Sequence, residues 1–142
     1  MIVKKVTSKK ELDDAFYVRK LVFVKEQQVP MEIEIDEFEQ EAIHFVGYLD
    51  DTPIAASRLR WVDQFGKLER LCVIKKYRGQ QFGTEMIKAM EAAVVEHGYD
   101  QTKLHAQTQA IEFYKQLGYE IHSDQFLEAG IPHVVMIKQL TS

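Results

Sequence analysis

Two hydrophobic periods alternate along the chain, and the switches between them mark out its elements. Leu68 to Ile74 is short, apolar and β-branched toward its end, which reads as a strand. Phe82, Met86, Met90, Ala93 and Val94 recur every three or four residues and predict an amphipathic helix with one buried face. His97-Gly98 closes that helix, with an imidazole in the last turn before the residue that tolerates left-handed geometry. Nearer the start, a strand at about Met1 to Thr7 leads into a helix opened by Ser8 with Glu11 three residues later, a capping-box signature. Leu12, Ala15, Phe16, Val22 and Phe23 form its core-facing stripe, Arg19 is set aside as polar, and Glu26-Gln27-Gln28 with Pro30 ends it.

An irregular acidic segment then runs to Glu41. Ala42 to Leu49 and Ile54 to Val62 read as strands joined through Asp50-Asp51-Thr52-Pro53, and Asp63-Gln-Phe-Gly66 turns the chain again into the Leu68 strand. After the Phe82 helix come a strand near Lys103 to Ala106, a short helix, a strand at Tyr119 to His122, a loop holding Gly130 and Pro132, and a last strand at His133 to Ile137. This order predicts an α/β (α+β) fold: a mixed, mostly antiparallel sheet of six to seven strands with about four helices on its two faces. No repeat or low-complexity tract interrupts it.

With 142 residues, 46% of them hydrophobic, the chain has enough apolar side chains for one domain spanning 1–142. A single cysteine excludes an internal disulfide and fits a reducing compartment, and no window has the length of a membrane span, so a cytoplasmic protein with no membrane partner is expected. The net charge of −4 argues against a nucleic-acid binder, whose affinity comes largely from clustered lysine and arginine. Charge is unevenly spread, however. Lys75, Lys76 and Arg78 cluster after the Leu68 strand, whereas Glu32, Glu34, Asp36, Glu37, Glu39 and Glu41 form an acidic run suited either to solvent or to a cationic amine.

The strand, basic turn and helix of residues 68–84 together describe a cradle for an anionic phosphate. A helix start presents unpaired N–H groups and a positive dipole end, and Gly79 and Gly83 let a ligand approach the main chain. Neither Gly-x-Gly-x-x-Gly nor Gly-x-x-x-x-Gly-Lys-Ser/Thr is present, which disfavours dinucleotide binding and nucleotide hydrolysis.

Arg78-Gly79-Gln80-Gln81-Phe82-Gly83 resembles motif A of the GNAT superfamily of acetyl-CoA-dependent N-acetyltransferases, Gln/Arg-x-x-Gly-x-Gly/Ala, with Gln81 where the family usually has glycine. A side chain at 81 is admissible if φ is negative there. Gln107-Thr-Gln-Ala110-Ile-Glu-Phe113-Tyr114-Lys-Gln-Leu-Gly118-Tyr119 is similar to motif B, Asn-x-x-Ala-x-x-Phe-Tyr-x-x-x-Gly-Phe/Tyr, with Gln107 replacing the asparagine.

The resemblance implies acetyl transfer from acetyl-CoA (coenzyme A) to a primary amine by direct attack, without a covalent enzyme intermediate or a metal. It implies that backbone groups of Leu71, Cys72 and Val73 meet the acyl and pantetheine portion and that amides of Arg78, Gly79, Gln80, Gln81, Phe82, Gly83 and Thr84 hold the pyrophosphate. Gln107 stands at the family's asparagine position beside the cofactor. Tyr114 is implied as the acid for the leaving thiolate, and Glu69 as the base, with Glu41 or His44 as rivals. Read from the residues alone, periodicity favours Tyr114 as a core aromatic, and Glu69 is equally a cross-strand partner of Arg58, Arg60 or Arg70. Cys72 has no ordered histidine partner and reads as packing. His44, His97, His105, His122 and His133 show no metal-ligand spacing. The acceptor is a small-molecule or peptide amine, and a homodimer is compatible with all of this. A catalytically silent acyl-CoA-binding module or sensor is the alternative.

Overall fold

The computed structural model describes residues 1–140. Strand β1 (Ile2–Lys5) leads to α1 (Lys9–Arg19), which continues as a π-helical stretch over Lys20–Glu26 and is followed by the single turn α2 (Met31–Glu34). Then come β2 (Ile43–Leu49), β3 (Thr52–Val62), β4 (Phe65–Val73), α3 (Phe82–Glu96), β5 (Gln101–Gln107), α4 (Ile111–Gln116), β6 (Glu120–Ile121), β7 (Phe126–Glu128) and β8 (Ile131–Gln139). The strands form one sheet in the order β1-β2-β3-β4-β5-β8-β6, with β7 also on β8. Every pair is antiparallel except β4 with β5.

Local chemistry explains the elements that the sequence announces. The Ser8 hydroxyl accepts from the Glu11 N–H at 3.2 Å while the Glu11 carboxylate accepts from the Thr7 N–H at 2.8 Å, so two orphan donors at the start of α1 are satisfied. Asp50-Asp51 and Asp63-Gln64 each have two positive φ angles, the geometry of tight two-residue turns that matches strand twist. Both turns are shorter than the four-residue connections read from the sequence.

Side-chain alternation along β2 and β3 feeds two cores. Phe45, Ala55, Leu59, Leu68 and Leu104 pack under Met86, Ile87, Met90 and Val94 of α3, while Val46, Ala56 and Cys72 pack on the other face under Ala15, Val18 and Val22. A Cβ at Gly66 would run into Val94, so the glycine sets how closely α3 lies on β4. The sheet has eight strands rather than six to seven. The additional one, β7, comes from the segment expected to be a loop: Ala129 and Gly130 turn the chain tightly enough for Glu128 to pair with Ile131. In the reverse sense, the strand expected at Tyr119 to His122 shortens to Glu120–Ile121. No helix among the described residues is long and apolar enough to cross a membrane.

One feature of the sheet positions the site. Strands β4 and β5 pair only at Gly66 with Thr102, Lys67 with Lys103 and Leu68 with Leu104, although β4 continues to Val73 and β5 to Gln107. Beyond Leu68 and Leu104 the two strands part.

Candidate active site

A cleft of about 1020 Å³ fills the gap between the parted strands, lined by Glu69 to Val73 of β4, by His105 and Gln107 of β5, and by Gly79, Gln81 to Thr84 and Tyr114. Its floor carries a bulge. Ala56 pairs with Cys72 and Arg58 with Glu69, so three steps along β4 oppose two along β3, and the extra residue falls at Arg70 and Leu71. Arg70 has φ of 55°, an uncommon conformation for a side chain of that size. The bulge takes main-chain groups out of the ladder where β4 borders the cleft.

At one end of the cleft, the N–H groups from Gly79 to Thr84 find no backbone or side-chain acceptor among the described residues, and the first intrahelical bond runs from Glu85 to the Gln81 carbonyl at 3.2 Å. These donors, at the positive end of a fifteen-residue helix, suit an anion. Arg78 departs from the expected cradle. Its N–H is bonded to the Lys75 carbonyl, and its guanidinium donates to both Glu26 oxygens at 2.7 Å and to the Val73 carbonyl at 2.9 Å. It clamps the π-helical stretch to the end of β4 and offers no free amide. Gln81 departs too: φ is +66°, not negative, so a glutamine occupies the left-handed position where glycine costs least.

Tyr114 lines the cleft, where burial raises its phenol above the ordinary value and no hydrogen bond offsets that effect. The hydroxyl stays protonated as a donor. Cys72 packs beneath α1, its thiol pushed up to about 12 by burial, in agreement with a packing role for the side chain. Gln107 donates to the Gln27 side chain at 3.0 Å and bonds with Gln109, which ties the end of β5 to the π-helical stretch.

Glu69 requires a correction. One of its oxygens is 2.7 Å from the Arg58 guanidinium and 2.9 Å from Arg60 Nε, the other is 2.8 Å from Lys67 Nζ, and these cations hold the carboxyl down at about 2 against the burial that opposes them. So stable an anion is a poor proton acceptor near neutrality. The cross-strand pairing read from the sequence as the alternative describes the geometry. Neither rival lines the cleft: Glu41 is exposed, and His44 is buried with its Nε2 on the Glu39 carbonyl at 2.8 Å.

Three carboxylates of the acidic run, Glu34, Asp36 and Glu39, are bound to arginines, while Glu32 and Glu37 are exposed. Fully buried Arg19 binds Glu34 and Glu39 through both carboxylates, and Arg58 binds Asp36 at 2.7 and 3.0 Å. Arg19 reads in the sequence as a polar residue outside the apolar stripe. It is the centre of this network.

Sequence reasoning also missed a pair. His105 Nδ1 lies 2.7 Å from the Glu128 carboxylate on β7, and both residues line the cleft. Alternation on β5 gives a signal for half of it, since Thr102, Leu104 and Ala106 are buried and His105 falls on the opposite face. Glu128 carried no signal, because its strand was not foreseen. Among the described residues no group of three or more His, Cys, Asp or Glu is placed to hold a metal ion.

Residues 9–140 match the family model of the acetyltransferase (GNAT) domain. The chain belongs to the GNAT acetyltransferase family. Among GNAT relatives, the uncharacterized N-acetyltransferase YjcF of Bacillus subtilis is 50% identical over 139 residues, covering 96% of this chain and 99% of YjcF. The uncharacterized protein YyaT of the same organism is 39% identical, covering 99% and 97%. An acyl-CoA N-acyltransferase from Pseudomonas aeruginosa superposes with a TM-score of 0.82 at 26% identity, covering 96% of this chain and 97% of its own. The GNAT fold extends to an aminoglycoside 6'-N-acetyltransferase complexed with coenzyme A, at a TM-score of 0.79 and 17% identity over 100% and 98% of the two chains.

Proposed function

We propose that this GNAT protein works as a single N-acetyltransferase unit that moves an acetyl group from acetyl-CoA to a primary amine by direct attack in a ternary complex. The observation that carries the reading is the run of unpaired N–H groups from Gly79 to Thr84, opening into a cleft that continues between β4 and β5 to Tyr114. Gly79 adds to the fit, because space for a ligand remains where a Cβ would stand. Coenzyme A in the aminoglycoside acetyltransferase, a fold neighbour, agrees with this choice of cofactor.

In this reading the amides of Gly79, Gln80, Gln81, Phe82, Gly83 and Thr84 hold the pyrophosphate, Arg78 fixes their loop through Glu26, and Gln107 flanks the cofactor at the strand end. Main-chain groups of Leu71, Cys72 and Val73, on the stretch of β4 that β5 leaves unpaired, bind the acyl and pantetheine portion and stabilise negative charge on the acyl oxygen. Acetyl-CoA supplies an acyl carbon activated as a thioester. Tyr114 gives a proton to sulfur as the C–S bond breaks. Glu69 serves as a fixed anion that sets Arg58, Arg60 and Lys67 along the acceptor side. An alkylammonium acceptor, with pKa near ~10, must shed a proton before its nitrogen can attack.

Calorimetry with acetyl-CoA, followed by thiol release on adding a panel of primary amines, tests the reading. Binding with turnover is the expected result. Binding without thiol release from any amine selects the silent acyl-CoA sensor, and the absence of heat at millimolar cofactor removes both.

A further inference from the structure

We propose that His105, held by Glu128, is the proton acceptor for the incoming amine, a role that rests on the transferase reading above. The register pairing Leu68 with Leu104 puts Glu69 and His105 opposite each other at the first position where the strands part, on the sheet face away from the α3 core. Glu69 is neutralised there by Arg58, Arg60 and Lys67, whereas His105 has one bonded nitrogen and one open.

The tautomer follows from its partner. A carboxylate only accepts, so Nδ1 carries the hydrogen toward Glu128 at 2.7 Å, and in the neutral ring the Nε2 lone pair is left without a partner among the described residues. Phe126 packs edge-on against the imidazole at 5.1 Å between ring centres and limits its rotation. Glu128 is kept ionised chiefly by the His105 bond, and further by the charges of His133 and Lys67. His133 is oriented separately, through Nδ1 to the Ile131 carbonyl at 2.6 Å, which leaves its Nε2 3.8 Å from Glu128. The ionisable groups around His105 are therefore Glu128 on β7, His133 on β8, Lys67 and Glu69 on β4, and Lys103 on its own strand.

The protons balance. Nε2 of His105 takes one proton from the ammonium and later passes it to solvent. As the nitrogen bonds to the acyl carbon and the C–S bond breaks, sulfur gains a proton from Tyr114, and the second proton lost by nitrogen restores the phenol. His105 is a catalytic residue in this scheme. Glu128 is a positioning residue that fixes the ring and its tautomer.

The experiment compares kcat at saturating acceptor for wild type, H105Q and E128Q. It uses a primary alkylamine that is active in the thiol-release panel and its O-alkylhydroxylamine counterpart, whose nitrogen is uncharged at neutral pH. H105Q is expected to lose about 100-fold in kcat with the alkylamine. With the O-alkylhydroxylamine the loss shrinks to a few-fold. E128Q shows a smaller defect that is likewise confined to the alkylamine. Unchanged coenzyme A affinity by calorimetry establishes that the variants are folded. An equal loss with both acceptors, or none, overturns the role of His105 while leaving the transferase intact. A wild-type protein that binds coenzyme A and releases no thiol with any amine overturns both.

Discussion

Arg58 and Glu69 face each other across β3 and β4, guanidinium to carboxylate at 2.7 Å, with Arg58 1% exposed and Glu69 9%. The pair lines the cleft beside the bulge, and Asp36, Arg60 and Lys67 complete its hydrogen bonding. Buried charges of this kind are costly to break singly, because the survivor is left without compensation.

The first consequence is a pH dependence of stability. The folded value of Glu69, about 2, lies below the ordinary 4.5, so its contribution is fully present above the ordinary value and is lost as pH falls from about 4.5 toward 2. In E69Q that part of the acid limb should vanish, and stability at neutral pH should fall by roughly 3 kcal/mol. Urea midpoints measured across this range check both.

Arg19 lies at the centre of the other half of the network. R19M should cost roughly 3–5 kcal/mol, since Glu34 and Glu39 lose their principal partner, and R19K should recover only part of that because an ammonium cannot bind two carboxylates in parallel. A methionine variant as stable as wild type in urea would contradict the account.

Gln81 holds a left-handed backbone at the mouth of the proposed cradle. Q81G should stabilise the protein by up to about 1 kcal/mol, and the β-branched Q81V should destabilise it by a similar amount or more. Thermal melting of the two variants, expected to move in opposite directions, is the measurement.

Tyr114 is proposed to act on sulfur rather than to hold the cofactor. Y114F should retain coenzyme A affinity within about threefold and lose roughly 100-fold in kcat. Calorimetry beside steady-state thiol release separates the two, and full turnover in Y114F would take the hydroxyl out of the reaction.

Much of what neighbours along the chain decide was legible in the sequence. Ser8 and Glu11 cap a helix, Asp50-Asp51 and Asp63-Gln64 turn hairpins, apolar spacing gives α3 its buried face, and the spacing around Gly79, Gly83, Phe113 and Tyr114 carried the family resemblance. These are short-range matters of hydrogen bonding, φ preference and period, so a linear reading reaches them. Tertiary structure decided which charges meet. Nothing local to Arg19 says that it will be fully buried between Glu34 and Glu39, and nothing local to Glu69 says that three cations will surround it. The positive φ at Arg70 arises from fitting β4 against β3, and the Ala129-Gly130 turn brings Glu128 to His105 through a hairpin that the apolar pattern did not disclose. A carboxylate becomes a proton acceptor, a counter-ion or a positioning group according to its spatial neighbours, because Coulomb interactions and desolvation depend on distance and burial rather than on order along the chain.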